Sequence, residues 1–249
     1  MNRLVKAELL KLRTTRTLYG TIAGVVVLVA LGVSAAIATA GTSGNAGLHT
    51  TEGLRSVFGG AVNAGFLMLV IGIITTAGEY RHNTITAALL ITPQRRQLIA
   101  AKTIAIAIVG AGIAVIATAV TLTVSLPWLA AKGVHPALLS TDVAGVLLGS
   151  ATVMVLFGLI GIGLGAIVRN QIAAVVGSLV WLLVVENLLV SLFPAIGKWL
   201  SFGASASLIG SATNAGLLPA GVAALLLLGY AAAFVATGIH LTATRDVIA

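Results

Sequence analysis

Four stretches of this chain, residues 18–40, 57–78, 103–126 and 143–168, contain no Asp, Glu, Lys or Arg, and each is long enough to cross a bilayer as a helix. Residues 171–193 form a fifth such stretch, interrupted only by Glu186. The last charge-free run, 199–244, is too long for one span; Pro219 divides it, and the sixth span is expected at 218–240. This pattern leaves few folds open. A backbone in lipid must satisfy its own hydrogen bonds, so six apolar runs of this length predict six transmembrane helices. Only 8% of the residues are charged against 59% hydrophobic, whereas a water-soluble domain carries about 25% charged residues. With so little charge the chain could not cover its own surface in water.

Other chemistry is narrowed by what the sequence lacks. There is no cysteine, which removes disulfides, iron–sulfur clusters and Cys-based zinc sites. His49, His82, His135 and His240 are too scattered for a metal-ligand spacing. The net charge of +8 reads as a topology signal and not as a nucleic-acid footprint. With the N-terminus inside, the inner segments hold eleven cations: Arg3, Lys6, Lys11, Arg13, Arg16, Arg81, Arg95, Arg96, Lys102, Arg169 and Arg245. The outer segments hold three, Arg55, Lys132 and Lys198, so both termini are expected in the cytoplasm. The basic opening stretch is too long for a signal peptide, and the apolar run behind it exceeds a signal core, so it is read as a retained first membrane helix. The weight of Ala, Val and Gly suits a high-GC bacterium and its plasma membrane.

Within this frame several short segments stand out. In residues 2–17, Val5, Leu9 and Leu12 fall at helical spacing, which suits either an interfacial helix or a plain charged anchor. Residues 194–217, with Lys198, Trp199, several Ser and Gly, and Asn214, are too polar for a standard span and too apolar for a free loop. Either a re-entrant pair of short helices or an ordered outer loop would fit. After the second span, Ile85, Ala88 and Leu89 lie at i, i+3 and i+4 until Thr92-Pro93 breaks the pattern; Arg95, Arg96 and Lys102 follow. That is either a short helical lever between two spans or a positive loop that fixes topology. Glu186, with Asn187 beside it and Lys198 beyond, is a structural polar tie or part of a transport path. Gly161 and Gly165, four apart, suit tight helix packing, within the chain or between two copies. No paired intramembrane catalytic groups and no ion-channel filter motif are present.

The run Glu79-Tyr80-Arg81-His82-Asn83-Thr84-Ile85, then Leu89-Leu90-Ile91-Thr92-Pro93-Gln94-Arg95-Arg96, then Ala101-Lys102, resembles the cytoplasmic loop of ABC-2 type transporter permeases. Ala7-Glu8-Leu9-Leu10-Lys11-Leu12-Arg13 is similar to that family's N-terminal interfacial helix, and residues 158–169 and 181–189 are similar to its later spans. Asn83 stands where a Gly is usual, a modest departure because Asn also tolerates unusual backbone angles. The resemblance runs over essentially the whole chain. It implies an all-α membrane protein, a single transmembrane domain over 1–249. Six spans would be joined by an interfacial helix, a short cytoplasmic coupling helix between the second and third spans, and a re-entrant or outer-surface helical segment before the sixth. It implies a permease subunit of an exporter of hydrophobic or amphipathic cargo, paired with a second permease subunit as homo- or heterodimer and set in membrane lipid. Cytosolic ABC ATPase subunits would dock at Glu79, Tyr80, Arg81, Thr84, Ile85, Leu89, Pro93, Arg95 and Arg96, and along the interfacial helix at Glu8, Lys11 and Arg13. The sequence holds no Gly-x-x-x-x-Gly-Lys-Ser/Thr loop, so ATP and Mg²⁺ would belong to the partner and this chain would carry no cofactor or catalytic residue. Against this stands a chain that works alone, as an ion-coupled secondary transporter using Glu186.

Overall fold

The computed structural model describes residues 1–42, 45–82, 84–85, 94–210, 216 and 218–244. Helix α1 (Asn2–Thr14) is separated from α2 (Arg16–Thr39) by Thr15, whose extended backbone (ψ 140°) turns the chain from one into the other. The second span is built from α3 (Thr51–Gly59), a tight turn of 3₁₀ helix (Gly60–Ala64) and α4 (Gly65–Arg81). Next come α5 (Arg95–Ala131) and α6 (Thr141–Val168). The fifth span joins α7 (Gln171–Val180), a π-helical turn (Trp181–Glu186) and α8 (Asn187–Leu192). Two short helices, α9 (Pro194–Gly197) and α10 (Ser201–Leu208), precede α11 (Ala220–Thr244). Six of the resulting helices are long and apolar enough to cross a membrane. The chain is an all-helical, multi-pass membrane protein. The short helix expected after Ile85, with Ala88, Leu89, Thr92 and Pro93, lies outside the described residues, as do Asn83, Asn214 and Arg245.

Side-chain caps explain several boundaries. Thr50 Oγ1 accepts a hydrogen bond from the Gly53 amide at 3.0 Å, so α3 starts ahead of the apolar run, with Glu52 in its first turn. Ser140 caps α6 in the same way, with Asp142 in the first turn, and Asp142 is ion-paired to Arg55 of α3. Pro127 does not close the third span. The helix continues through it to Ala131, because proline removes only one amide from the ladder and the remaining turn is completed by Lys132 and Val134 amides bonding back to Leu129.

The centre of the bundle is the parallel pair α4 and α6, in register from Gly65 beside Val153 to Ala77 beside Gly165. Their backbones touch because neither has a side chain at the crossing. A Cβ at Gly72 would collide with the Gly158 carbonyl, and one at Gly161 with the Leu69 carbonyl. Gly163, on another face of α6, lies against the backbone of Phe234 in α11. The glycine stripe therefore packs within the chain. Around this pair sit α2, α5 and α11, with Val25, Val29, Val33 and Ile37 of α2 lining up every turn on its one buried face.

Candidate functional site

At one end of the bundle α1 meets the C-terminal end of α4 and the N-terminal part of α5. Glu8 sits on the α1 face that also carries Val5 and Leu12, and that face packs on the bundle, so the carboxylate is buried with it. Lys102, in the second turn of α5, is 1% exposed. Its ammonium donates to Glu8 Oε2 at 2.9 Å, to Glu79 Oε1 at 2.7 Å and to the Thr75 carbonyl at 3.4 Å. Lys11 closes the circuit, 2.8 Å from Glu8 Oε1 and 3.0 Å from Glu79 Oε1. Two cations and two carboxylates from α1, α4 and α5 thus form one neutral cluster. Only Lys11 reaches far into solvent. Neutrality matters, because removing one partner from a buried pair strands the other charge at a cost of about 3–5 kcal/mol.

Burial alone would raise the Glu8 carboxyl, but the charge of Lys102 and the hydrogen bonds from Lys11 and Lys102 outweigh it and hold the group below its ordinary 4.5. Burial would lower the Lys11 ammonium, yet the hydrogen bond to Glu8 and the charge of Glu79 raise it above 10.5. Beside the cluster opens a cleft of about 690 Å³ lined by Glu8, Lys11, Glu79, His82 and Gln171. Glu79 Oε2 is buried next to it and makes no hydrogen bond.

A second set of contacts ties the other helix ends. Arg169 closes α6 in the left-handed region (φ 58°), the only described non-glycine residue with positive φ. Its amide bonds back to Gly165, and Asn170 then caps α7 through the Ala173 amide at 3.1 Å. That turn places the Arg169 guanidinium 5.2 Å from the centre of the Tyr80 ring and 3.3 Å from the Leu241 carbonyl. Arg95, the first residue of α5, donates to the Thr242 carbonyl at 3.2 Å. Both arginines thus meet the carboxyl end of α11, where carbonyls lack helical partners and the dipole favours cations.

The structure brings together Glu8, Lys11 and Glu79 of the expected residues, and separately Tyr80 and Arg95. Arg13, Arg81 and Arg96 are exposed around them. Thr84 is exposed, its amide bonding to the Glu79 carbonyl at 2.9 Å, while Ile85 is buried. Leu89 and Pro93 are outside the described residues. The sequence does not single out Lys102 or Arg169 as site residues: Lys102 stands in the basic stretch after the loop, and Arg169 reads as a topology charge. For Glu8 a signal existed, since it lies three residues after Val5 and four before Leu12 on the apolar stripe. For Arg169 there was none.

Glu186 is far from this end, and its partners are not those the sequence suggested. It accepts from the Trp181 indole at 2.9 Å, the Ser201 hydroxyl at 2.6 Å and the Phe202 amide at 2.6 Å. Asn187 instead donates to the Leu183 carbonyl, and Lys198 lies over the Trp199 ring. The physical reason is helical geometry. The π turn and the start of α10 aim their donors at Glu186, whereas adjacent residues on a helix point apart.

Six membrane-length helices and an N-terminal helix pinned to them by buried charge define a polytopic membrane protein. A sequence profile described as ABC-2 family transporter protein matches residues 4–185, most of the chain. The chain belongs to that family, whose members are membrane components of ABC transporters, and a role in transport follows. No curated protein matches the chain in sequence.

Proposed function

We propose that the chain is the permease subunit of an ATP-driven exporter of hydrophobic or amphipathic cargo in a bacterial plasma membrane, with both termini cytoplasmic. ATP and Mg²⁺ belong to separate cytosolic ATPase subunits that dock on the loop 79–96 and on α1, and a second permease subunit completes the transporter. The observation that carries this reading is the cluster of Glu8, Lys11, Glu79 and Lys102. It sits at the root of that loop and welds α1 to the facing ends of α4 and α5. A partner pushing on the loop or on α1 would move both spans as one body, because no single member can leave without stranding a buried charge.

The test is co-expression with candidate cytosolic ATPases. Alanine at Ile85, Thr86 and Leu89 together, which makes 85–89 all alanine, should abolish cargo-stimulated ATP hydrolysis while the complex still purifies at normal yield. Cargo movement by the chain alone in liposomes, driven by a proton gradient, would remove this reading. So would labelling of residues 80–96 from outside the cell.

A further inference from the structure

Glu186 plays no part in the coupling just described, yet it is buried in a span, where an ionisable side chain is expensive. Its surroundings are donors. The indole of Trp181 and the hydroxyl of Ser201 both reach Oε1, and the Phe202 amide, in the first turn of α10, reaches Oε2. An acceptor-only carboxylate suits that pattern, and Oε2 keeps capacity for one more donor. Among the described residues no Lys, Arg or His lies within ion-pair distance of it. This contrasts with the other end of the bundle, where each buried carboxylate has a lysine.

Glu186 also stands at one end of a cavity of about 420 Å³. Ala173, Ala174, Gly177, Ser178, Trp181 and Glu186 line it in succession. The thirteen steps from Ala173 to Glu186, at about 1.5 Å each, extend this lining over about 20 Å. Ala173, Gly177 and Trp181 are exposed, so it opens along the edge of the fifth span. The facing wall is apolar, with Leu69, Phe157, Ile160 and Leu164. A volume of this size drawn out over about 20 Å has the width of a single chain, not of a fused ring system.

We infer that this groove binds a single-chain amphipath with a cationic head group, the ammonium at Glu186 and the alkyl chain along α7. The head group supplies the missing counter-charge, and the tail removes apolar surface from lipid-facing packing without requiring a polar partner. That such a molecule is cargo rests on the transport reading above; the binding itself does not.

The experiment uses the full chain in lipid nanodiscs with Trp128 and Trp199 replaced by Phe, which leaves Trp181 as the sole indole. Titration with dodecyltrimethylammonium should change Trp181 emission saturably, and dodecyl sulfate and dodecyl maltoside should give no saturable change. Glu186→Gln should weaken binding at least tenfold. Gly177→Leu, at a position where a Cβ meets nothing within 4 Å, should block the groove with the carboxylate intact and abolish binding. If Glu186→Gln fails to fold, Gly177→Leu decides. Binding of either variant like the parent, or equal saturable binding of dodecyl sulfate, overturns the inference. ATP-driven transport without any such binding removes the site and leaves the transport reading. Binding without ATP-driven transport does the reverse.

Discussion

Arg169 shows how one residue joins three helices. A non-glycine side chain in the left-handed region costs of order 1–3 kcal/mol, and here the guanidinium offsets it through Tyr80 and the end of α11. Replacing Arg169 by Ala deletes those contacts and keeps the strain, whereas Gly deletes the contacts and relieves it. Arg169→Ala should therefore be the less stable variant by about 1 kcal/mol, read from thermal unfolding in detergent. Equal melting of the two would mean that the backbone there is unstrained. Sequence reading took Arg169 for a charge at a membrane boundary, because nothing in Val168-Arg169-Asn170 announces a left-handed residue.

At the scale of an element, α1 is held by titratable groups, so its attachment depends on pH in a defined direction. The Glu8 pKa is lowered on folding, so its contribution is present above about 4.5 and is lost as pH falls below that value. The Lys11 pKa is raised, so its contribution is present below about 10.5 and is lost as pH rises through the folded value. The chain has no cysteine, which allows a spin label at Leu10→Cys on the exposed side of α1. Its mobility should stay flat between these limits and rise on both sides. A flat response down to pH 3 would show that apolar burial of Leu12, not the charge cluster, holds the helix. The existence of α1 was legible from Val5, Leu9 and Leu12. That its buried face carried a carboxylate bound to Lys102, 94 residues away, was not, since a pairing at that separation is set by the packing of α1 against α5.

For the molecule as a whole, stability depends on the α4–α6 crossing. Gly72→Leu would force a side chain into the backbone of α6, which cannot yield as a side chain can, so the pair must separate. Gly112→Leu, on α5 where a Cβ meets nothing, is the matched control. Gly72→Leu should lose most of the monodisperse protein by size-exclusion chromatography, and Gly112→Leu should retain it. Comparable yields would move the centre of the bundle elsewhere.

The sequence alone determined that this protein is a six-span helical membrane protein, because hydrophobic length against bilayer thickness is a local property of each segment. It also pointed to the family through the order of short motifs. Only the tertiary structure decided which charges face one another, that Lys102 is buried and Arg169 bridges helix ends, and that Glu186 has donors but no cation among the described residues. Those outcomes depend on how helices rotate and cross, and the pattern of apolar residues around a span that is hydrophobic on every side does not fix its rotation.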